Sequence, residues 1–508
     1  MRSSDCHGKA GHEWSTLAAR RFDPARIIPP SPSGLARAQP HFSPDPRERA
    51  GPLGDIQMTL SWFRMLVLGS LLTWLNPGAA FAQDPNASAT PQAPPPPPEV
   101  AQPAYDVLRI DDNGIGRAYR VWEEWVPQVV TTPDGGAWAF FTAQIRNPEG
   151  NADRRLFASR FDPERRVWLP ARGISSSATQ FGATAAADSQ GVVHLIYSNR
   201  AGESSEAWSQ LVYQRFVNDS WTDPVPVAPH PDAGHQMLAS LTIDERDGLH
   251  VVWRDQRFVT PEARSMLATN ADLLSSDLVE GEWTEPTMIN IREAPDINPG
   301  WPHLVADGDR LVVVWSIYRG TTAEEMKSAV RVEWSSRPLD ASRGWSTPQT
   351  LYMREGGDAG GRLIDLAADP RGGAVVVYGL FNRGNNDLML QRLDVGKDAW
   401  TEPVLIASGD FGYLPAVTIA GDGTIYAVFN NGRNRDVDIG GLIADASGES
   451  AGAVTLTPAE SGVTARASIA LDHNESPWVV YMHQPEGSTN VTEIQSVRAA
   501  TFTPPAPS

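Results

Sequence analysis

A single unit repeats along this chain, and its clearest copy spans residues 237–290. It reads M-L-A-S-L-T-I-D-E-R-D-G-L-H-V-V-W-R-D-Q-R, a polar loop, then D-L-L-S-S-D-L-V-E-G-E-W-T-E-P-T-M-I-N. Four short apolar runs lie in it, each bounded by Gly, Asp or Pro. The Asp/Gly turn at 245–248 predicts a hairpin between the first two. The fourth run opens with Trp283, with Pro286 close behind. Four antiparallel strands in a period of this size make one blade of a propeller.

Copies of the unit fill the chain. The first hairpin turns align at Gly136, Gly191, Gly248, Asp309, Gly373, Gly423 and Ser476, 50 to 64 residues apart. Second strands are predicted at 137–142, 192–197, 249–253, 311–315, 374–378, 425–429 and 478–481. Fourth strands start at Trp168/Pro170, Trp221/Pro224, Trp283/Pro286, Trp345/Pro348 and Trp400/Pro403. The expected fold is all-β: a single β-propeller of about seven four-stranded blades, with units starting near 125, 181, 237, 300, 361, 413 and 464. Six blades with an irregular closure is the competing count. A ring must close, or its last edge stays exposed. The seventh unit has three strands and no Trp/Pro mark, so residues 118–122 are expected to supply its outer strand.

Composition agrees with this reading. Forty-three Gly and 42 Pro in 508 residues suit a turn-rich chain, and 41% apolar residues are enough for a core. A formal net charge of −19 argues against nucleic acid as a partner. Lysine is confined to Lys9, Lys327 and Lys397, so nearly all positive charge is arginine. The single cysteine, Cys6, allows no intramolecular disulfide.

Residues 58–82 carry Arg64, a short apolar run over 65–75 and the small-x-small site Ala80-Phe81-Ala82. That is the pattern of a secretory signal peptide, with an apolar run too short for a permanent membrane span. Residues 1–57 in front of it are read as a product of too early a start codon, or else as a disordered leader. Residues 83–104 form a Pro-rich linker that favours extended polyproline II. Residues 105–503 form the propeller and 504–508 a tail. The expectation is a monomer that is secreted, periplasmic or held at the cell envelope, with no transmembrane span once the signal is removed.

The loops between third and fourth strands carry a resemblance. Leu339-Asp340-Ala341-Ser342-Arg343-Gly344-Trp345 resembles the Asp-box, S-x-D-x-G-x-x-W, as do Asp394-x-Gly396 with Trp400 and, less closely, Asp162 with Trp168. Such boxes mark the sialidase-like propellers, where they are structural turns far from the active site. The resemblance implies the fold over about 105–502. An active sialidase would use a Tyr activated by a Glu, an Asp acid/base and an arginine cluster. The matching candidates are Tyr318 with Glu324 or Glu325, and Asp255. The R-I-P motif of the first sialidase blade is missing; Arg109-Ile110-Asp111 is a partial echo.

Loops joining strands 2 to 3 and 4 to 1 share one face of a propeller. The 2–3 loops are expected to hold Arg146, Arg200, Arg254 with Arg257, Arg319, Arg383, and Arg433 with Arg435. Together they could clamp carboxylate, sulfate or phosphate. Pairing with Glu203, Asp255, Asp387 and Asp436 is the structural alternative. The 4–1 loops are expected to add Trp125, His235, Trp301, His303 and Tyr413, with aromatic faces suited to sugar rings or simply to packing. No metal or cofactor motif is present; Asp/Asn-rich loops at 383–387 and 430–438 are the places where a structural Ca²⁺ would fit. The readings in order are a secreted propeller that binds glycans or acidic saccharides, an exo-acting glycoside hydrolase of sialidase type, and a scaffold for a surface protein. Fold alone does not choose among them.

Overall fold

The computed structural model describes residues 107–110, 119–121, 126–146, 152–174, 179–200, 208–230, 234–259, 271–291, 297–319, 329–353, 364–382, 385–394, 396–409, 414–433, 436–457, 462–485 and 493–498. The chain divides into two units, Met1–Pro95 and Pro96–Ser508, and every described residue belongs to the second. The leader, signal and linker readings therefore lie outside the described residues. Strands and turns make up what is described, with no helix among them.

Blade 3 sets the pattern. Gln236–Ile243, Leu249–Asp255 and Asp272–Val279 pair antiparallel in order, and the outer strand follows in two pieces, Glu282–Trp283 and Thr287–Met288. The other blades repeat the four-strand order, with the outer strand in one piece in blades 4, 6 and 7, so the count is seven and not six. In blade 1 the first strand is itself in two pieces, Tyr119–Val121 and Gln128–Thr131, both paired with Ala137–Arg146.

The repeated Trp/Pro mark has a local cause. Proline has no N–H, so the outer strand breaks there. In four blades the residue after the Trp is Thr222, Thr284, Ser346 or Thr401. Its N–H donates to the third strand, at Arg215, Asp277, Ser336 and Arg392 respectively. Its hydroxyl then accepts the N–H of that same third-strand residue, at 3.0 to 3.1 Å. One small polar side chain replaces the ladder bond that the break removes.

The first hairpins are closed by aspartates. Asp244 Oδ1 accepts the N–H of Arg246 and of Gly248, both at 2.8 Å; Asp188 and Asp472 do the same in blades 2 and 7. A Cβ on Gly248 would stand 2.7 Å from Asp244 Oδ2, which is why glycine holds that place. The Asp-box-like loops cap themselves likewise. Ser342, Gly396 and Glu164 donate their N–H to Asp340, Asp394 and Asp162.

Seven apolar clusters fill the seven gaps between blades. Each gap holds one buried aromatic from the second strand of the following blade: Phe141, Tyr197, Trp253, Trp315, Tyr378, Phe429 or Tyr481. Fully burying one such side chain contributes about 1.5–3 kcal/mol. The core is thus a ring of interfaces, and no blade has a core of its own.

Closure departs from expectation in its residues. The outer strand of blade 7 is Val107–Arg109, paired with Glu493–Arg498 through Val107↔Val497 and Arg109↔Gln495. Residues 119–121, expected there, lie in blade 1 instead, with Tyr119 opposite Ile145. Ile110 decides the matter. It is buried in the cluster between blades 7 and 1 together with Trp168 and Trp478, which fixes the strand just before it at the seam.

Candidate functional site

The first strands of all seven blades line one central cavity of about 280 Å³. β-Bulges interrupt four of them, between Phe181 and Thr184, Met237 and Ser240, Gly300 and His303, and Ala465 and Ser468. Each bulge holds a left-handed residue: Gly182 (φ 64°), Leu238 (55°), Trp301 (51°) and Arg466 (59°). Trp301 and His303 therefore belong to the strand Ile297–Asp307 and not to a 4–1 loop. The bulge takes Trp301 and Pro302 out of the ladder, so a proline without an N–H is accommodated inside the strand.

One equivalent position per blade faces the axis. Opposite Phe140, Ile196, Val252, Val314, Val377, Val428 and Val480 stand Gln128, Thr184, Ser240, His303, Asp365, Ala416 and Ser468. Three of them stitch their blade to the next. Thr184 Oγ1 accepts Leu241 N–H at 3.1 Å, Ser240 Oγ accepts Leu304 N–H at 3.0 Å, and Asp365 Oδ2 accepts Val417 N–H at 2.8 Å. His303 Nδ1 stands 2.8 Å from Asp365 Oδ1. Sequence reading missed this polar ring except for His303. The signal was present 13 residues before the second-strand aromatic in six blades and 12 before it in blade 4, but single Thr, Ser or Gln residues are unremarkable until the repeats are superposed.

A second group lies where the second strands of blades 2 and 3 end. Trp208 and Phe258 are 40% and 50% exposed, and they are the only aromatic rings among the large apolar side chains that the described residues expose. Beside Trp208, His235 is buried. Its Nδ1 accepts Ser209 N–H at 3.2 Å, which leaves the ring proton on Nε2. Burial, helped by the Arg200 charge, pushes its pKa down to about 4. Trp208 meets the His235 ring edge-on at 5.1 Å. His235 O accepts the N–H of Gln256, two residues before Phe258. His235 thus meets the Trp208 ring with its own and holds, through its carbonyl, the turn that leads to Phe258.

The arginine loops change character. Arg146, Arg200, Arg319 and Arg433 are the last residues of second strands, which run further than their apolar cores predict. Arg257 is paired: its Nη2 donates to Asp255 Oδ2 at 2.9 Å. Asp255 also accepts Trp253 Nε1 at 2.8 Å, Gln236 Nε2 at 3.1 Å and Arg257 N–H at 2.7 Å. It is wholly buried. Such a carboxylate holds a strand end together and has no face left for a substrate proton.

Tyr318 is buried as well, its ring 3.2 Å from where a Cβ on Gly300 would stand. Its neighbour is Arg254, a buried guanidinium that desolvation pushes down to about 10. Trp125, Glu324, Arg383 and Tyr413 lie outside the described residues, as do the side chains of Arg146 and Arg433. Among the described residues no three His, Cys, Asp or Glu converge on a metal site, and no helix is long and apolar enough to cross a membrane.

No protein-family model and no curated protein matches this chain. Solved structures do match. An ulvan lyase solved with bound -[GlcA(1-4)Rha3S]- is 11% identical, with a TM-score of 0.49 over 76% of this chain and 94% of that one. The fold resembles the sialidase-like propellers. The NanB sialidase from Streptococcus pneumoniae is 9% identical (TM-score 0.42; 77% and 94% covered). An alpha-L-arabinanase from Penicillium chrysogenum is 12% identical (TM-score 0.42; 78% and 98% covered). Likeness at this level concerns the path of the chain and nothing finer.

Proposed function

We propose that this chain is a secreted propeller that binds saccharides without turning them over. Its recognition surface is the face where the second strands of blades 2 and 3 end. The observation that carries the reading is the two exposed rings on this face, Trp208, edge-on to the neutral, buried His235, and Phe258, two residues after the Gln256 N–H that His235 O accepts. Exposed aromatic surface on a rigid scaffold marks an interaction site, and flat rings suit the C–H faces of sugars. Binding is preferred over hydrolysis because Asp255 and Tyr318 are both buried, and Asp255 is fully engaged. Secretion rests on the signal pattern at residues 58–82.

A glycan array with the purified protein tests the reading. Specific binding is expected, with loss in Trp208→Ala and in Phe258→Ala, and no release of fluorophore from a fluorogenic sialoside. A folded protein with a blank array, or variants that bind like the parent, would leave the protein-scaffold reading in its place.

A further inference from the structure

A second cavity, of about 290 Å³, lies away from the axis, where the outer half of blade 3 meets blade 4. One wall is the broken outer strand of blade 3, and the other is the Asp-box-like turn of blade 4 that ends at Trp345. The volume equals roughly ten liquid-water volumes of about 30 Å³ each, room for one small molecule. On its floor stands a carboxylate that is half engaged. Asp277 Oδ1 lies 2.7 Å from His250 Nδ1 and accepts Arg337 Nη2, while Oδ2 has no hydrogen bond among the described residues. Burial works against the Asp277 charge, but His250 and Arg337 hold its pKa below the ordinary carboxylate value, so the open oxygen is anionic. The equivalent residue in the other blades with this break is Arg215, Ser336 or Arg392, so the repeat itself does not call for a carboxylate here.

Two further charges of opposite sign line the cavity. Arg343 and Glu285 are both exposed, and neither has an ion pair or hydrogen bond among the described residues. Asp340, which feels the Arg343 charge, is bonded within its own turn to Ser342 N–H. Trp345 is fixed in the wall: its Nε1 donates to Ser275 Oγ at 2.7 Å, and the Arg337 guanidinium lies 5.2 Å over its ring. Gly344 leaves the space open, since a Cβ there would meet nothing within 4 Å. Arg337 is offset by Asp277, which leaves Arg343, Glu285 and Asp277 Oδ2 for a ligand. An anion alone would meet two carboxylates, and a cation alone two guanidinium groups. A molecule that carries both charges close together pairs with each.

We infer that this cavity is a site for a free α-amino acid, its ammonium group donating to Asp277 Oδ2 and Glu285 and its carboxylate accepting from Arg343. The site goes beyond the saccharide reading and shares no residue with it. Calorimetric titration of the full chain with glycine, L-serine and L-glutamate tests it, with acetate, methylammonium and glycine betaine as controls. Acetate and methylammonium carry one charge each, and betaine carries both but has no N–H to donate. At least one amino acid is expected to bind with unit stoichiometry, about tenfold or more tighter than any control. Arg343→Gln and Glu285→Gln, at exposed positions, are each expected to weaken binding about threefold. Gly344→Val fills the cavity from a backbone that is not left-handed and is expected to abolish binding, with thermal unfolding confirming that all three variants fold. Absence of binding by every amino acid would overturn the inference. So would a control that binds as tightly as the best amino acid, or folded variants that bind like the parent.

Discussion

The indole Nε1 of Trp168 donates a 2.7 Å hydrogen bond to Ser496 Oγ, tying the outer strand of the first blade to the third strand of the last. Trp168 also lies edge-on to Trp478 at 5.8 Å, inside the cluster that includes Ile110. The ring is closed by this contact as well as by the Val107–Arg109 ladder.

Trp168→Phe keeps an aromatic ring but removes the donor to the buried Ser496 hydroxyl. The expected loss is about 1–3 kcal/mol, read from urea unfolding. In a double-mutant cycle with Ser496→Ala the two losses should not add, since both changes remove the same bond. A single variant as stable as the parent would mean that the seam does not depend on this bond.

Asp255→Ala leaves Arg257 buried beside Trp253 and Gln236 with no counter-charge. Breaking a buried pair in this way costs about 3–5 kcal/mol. The expected result is a large fall in unfolding midpoint.

His235 gives a pH dependence of defined sign. Its folded pKa, about 4, lies below the ordinary value of 6.5. The unfolded chain therefore binds the proton more readily between those values. The stability contributed by the neutral ring is full above pH 6.5 and is lost as pH falls toward 4, at up to about 1.4 kcal/mol per unit. His194, also lowered by burial, adds in the same direction. Urea unfolding across pH 7 to 4 should show a decline that is shallower in His235→Gln.

Thr284→Val and Thr401→Val each remove one hydroxyl that accepts a third-strand N–H. Each should cost about 1 kcal/mol, and the double variant their sum, because blades 3 and 5 share no contact at these sites. A neutral effect would show that water replaces the hydroxyl at this edge.

Several levels of this fold are written locally. The Asp/Gly hairpins and the Trp-(Thr/Ser)-x-Pro break are each a few residues long and satisfy their own backbone groups within one blade, and an aromatic recurs in each second strand. Seven copies of such a unit fix the period, and the period fixes the propeller. What depends on contacts between blades was not legible. Val107–Arg109 closes the ring because Ile110 finds a cluster built by residues from both ends of the chain. Asp255 looked like a candidate acid beside arginines, but it is buried on Arg257, Gln236 and Trp253. Trp301 and His303 looked like loop residues, and bulges place them on the axis. Gln128, Thr184, Ser240, Asp365 and Ser468 carry no motif at all. They become a ring only when seven first strands converge, because it is distance across the axis, and not spacing along the chain, that makes them neighbours.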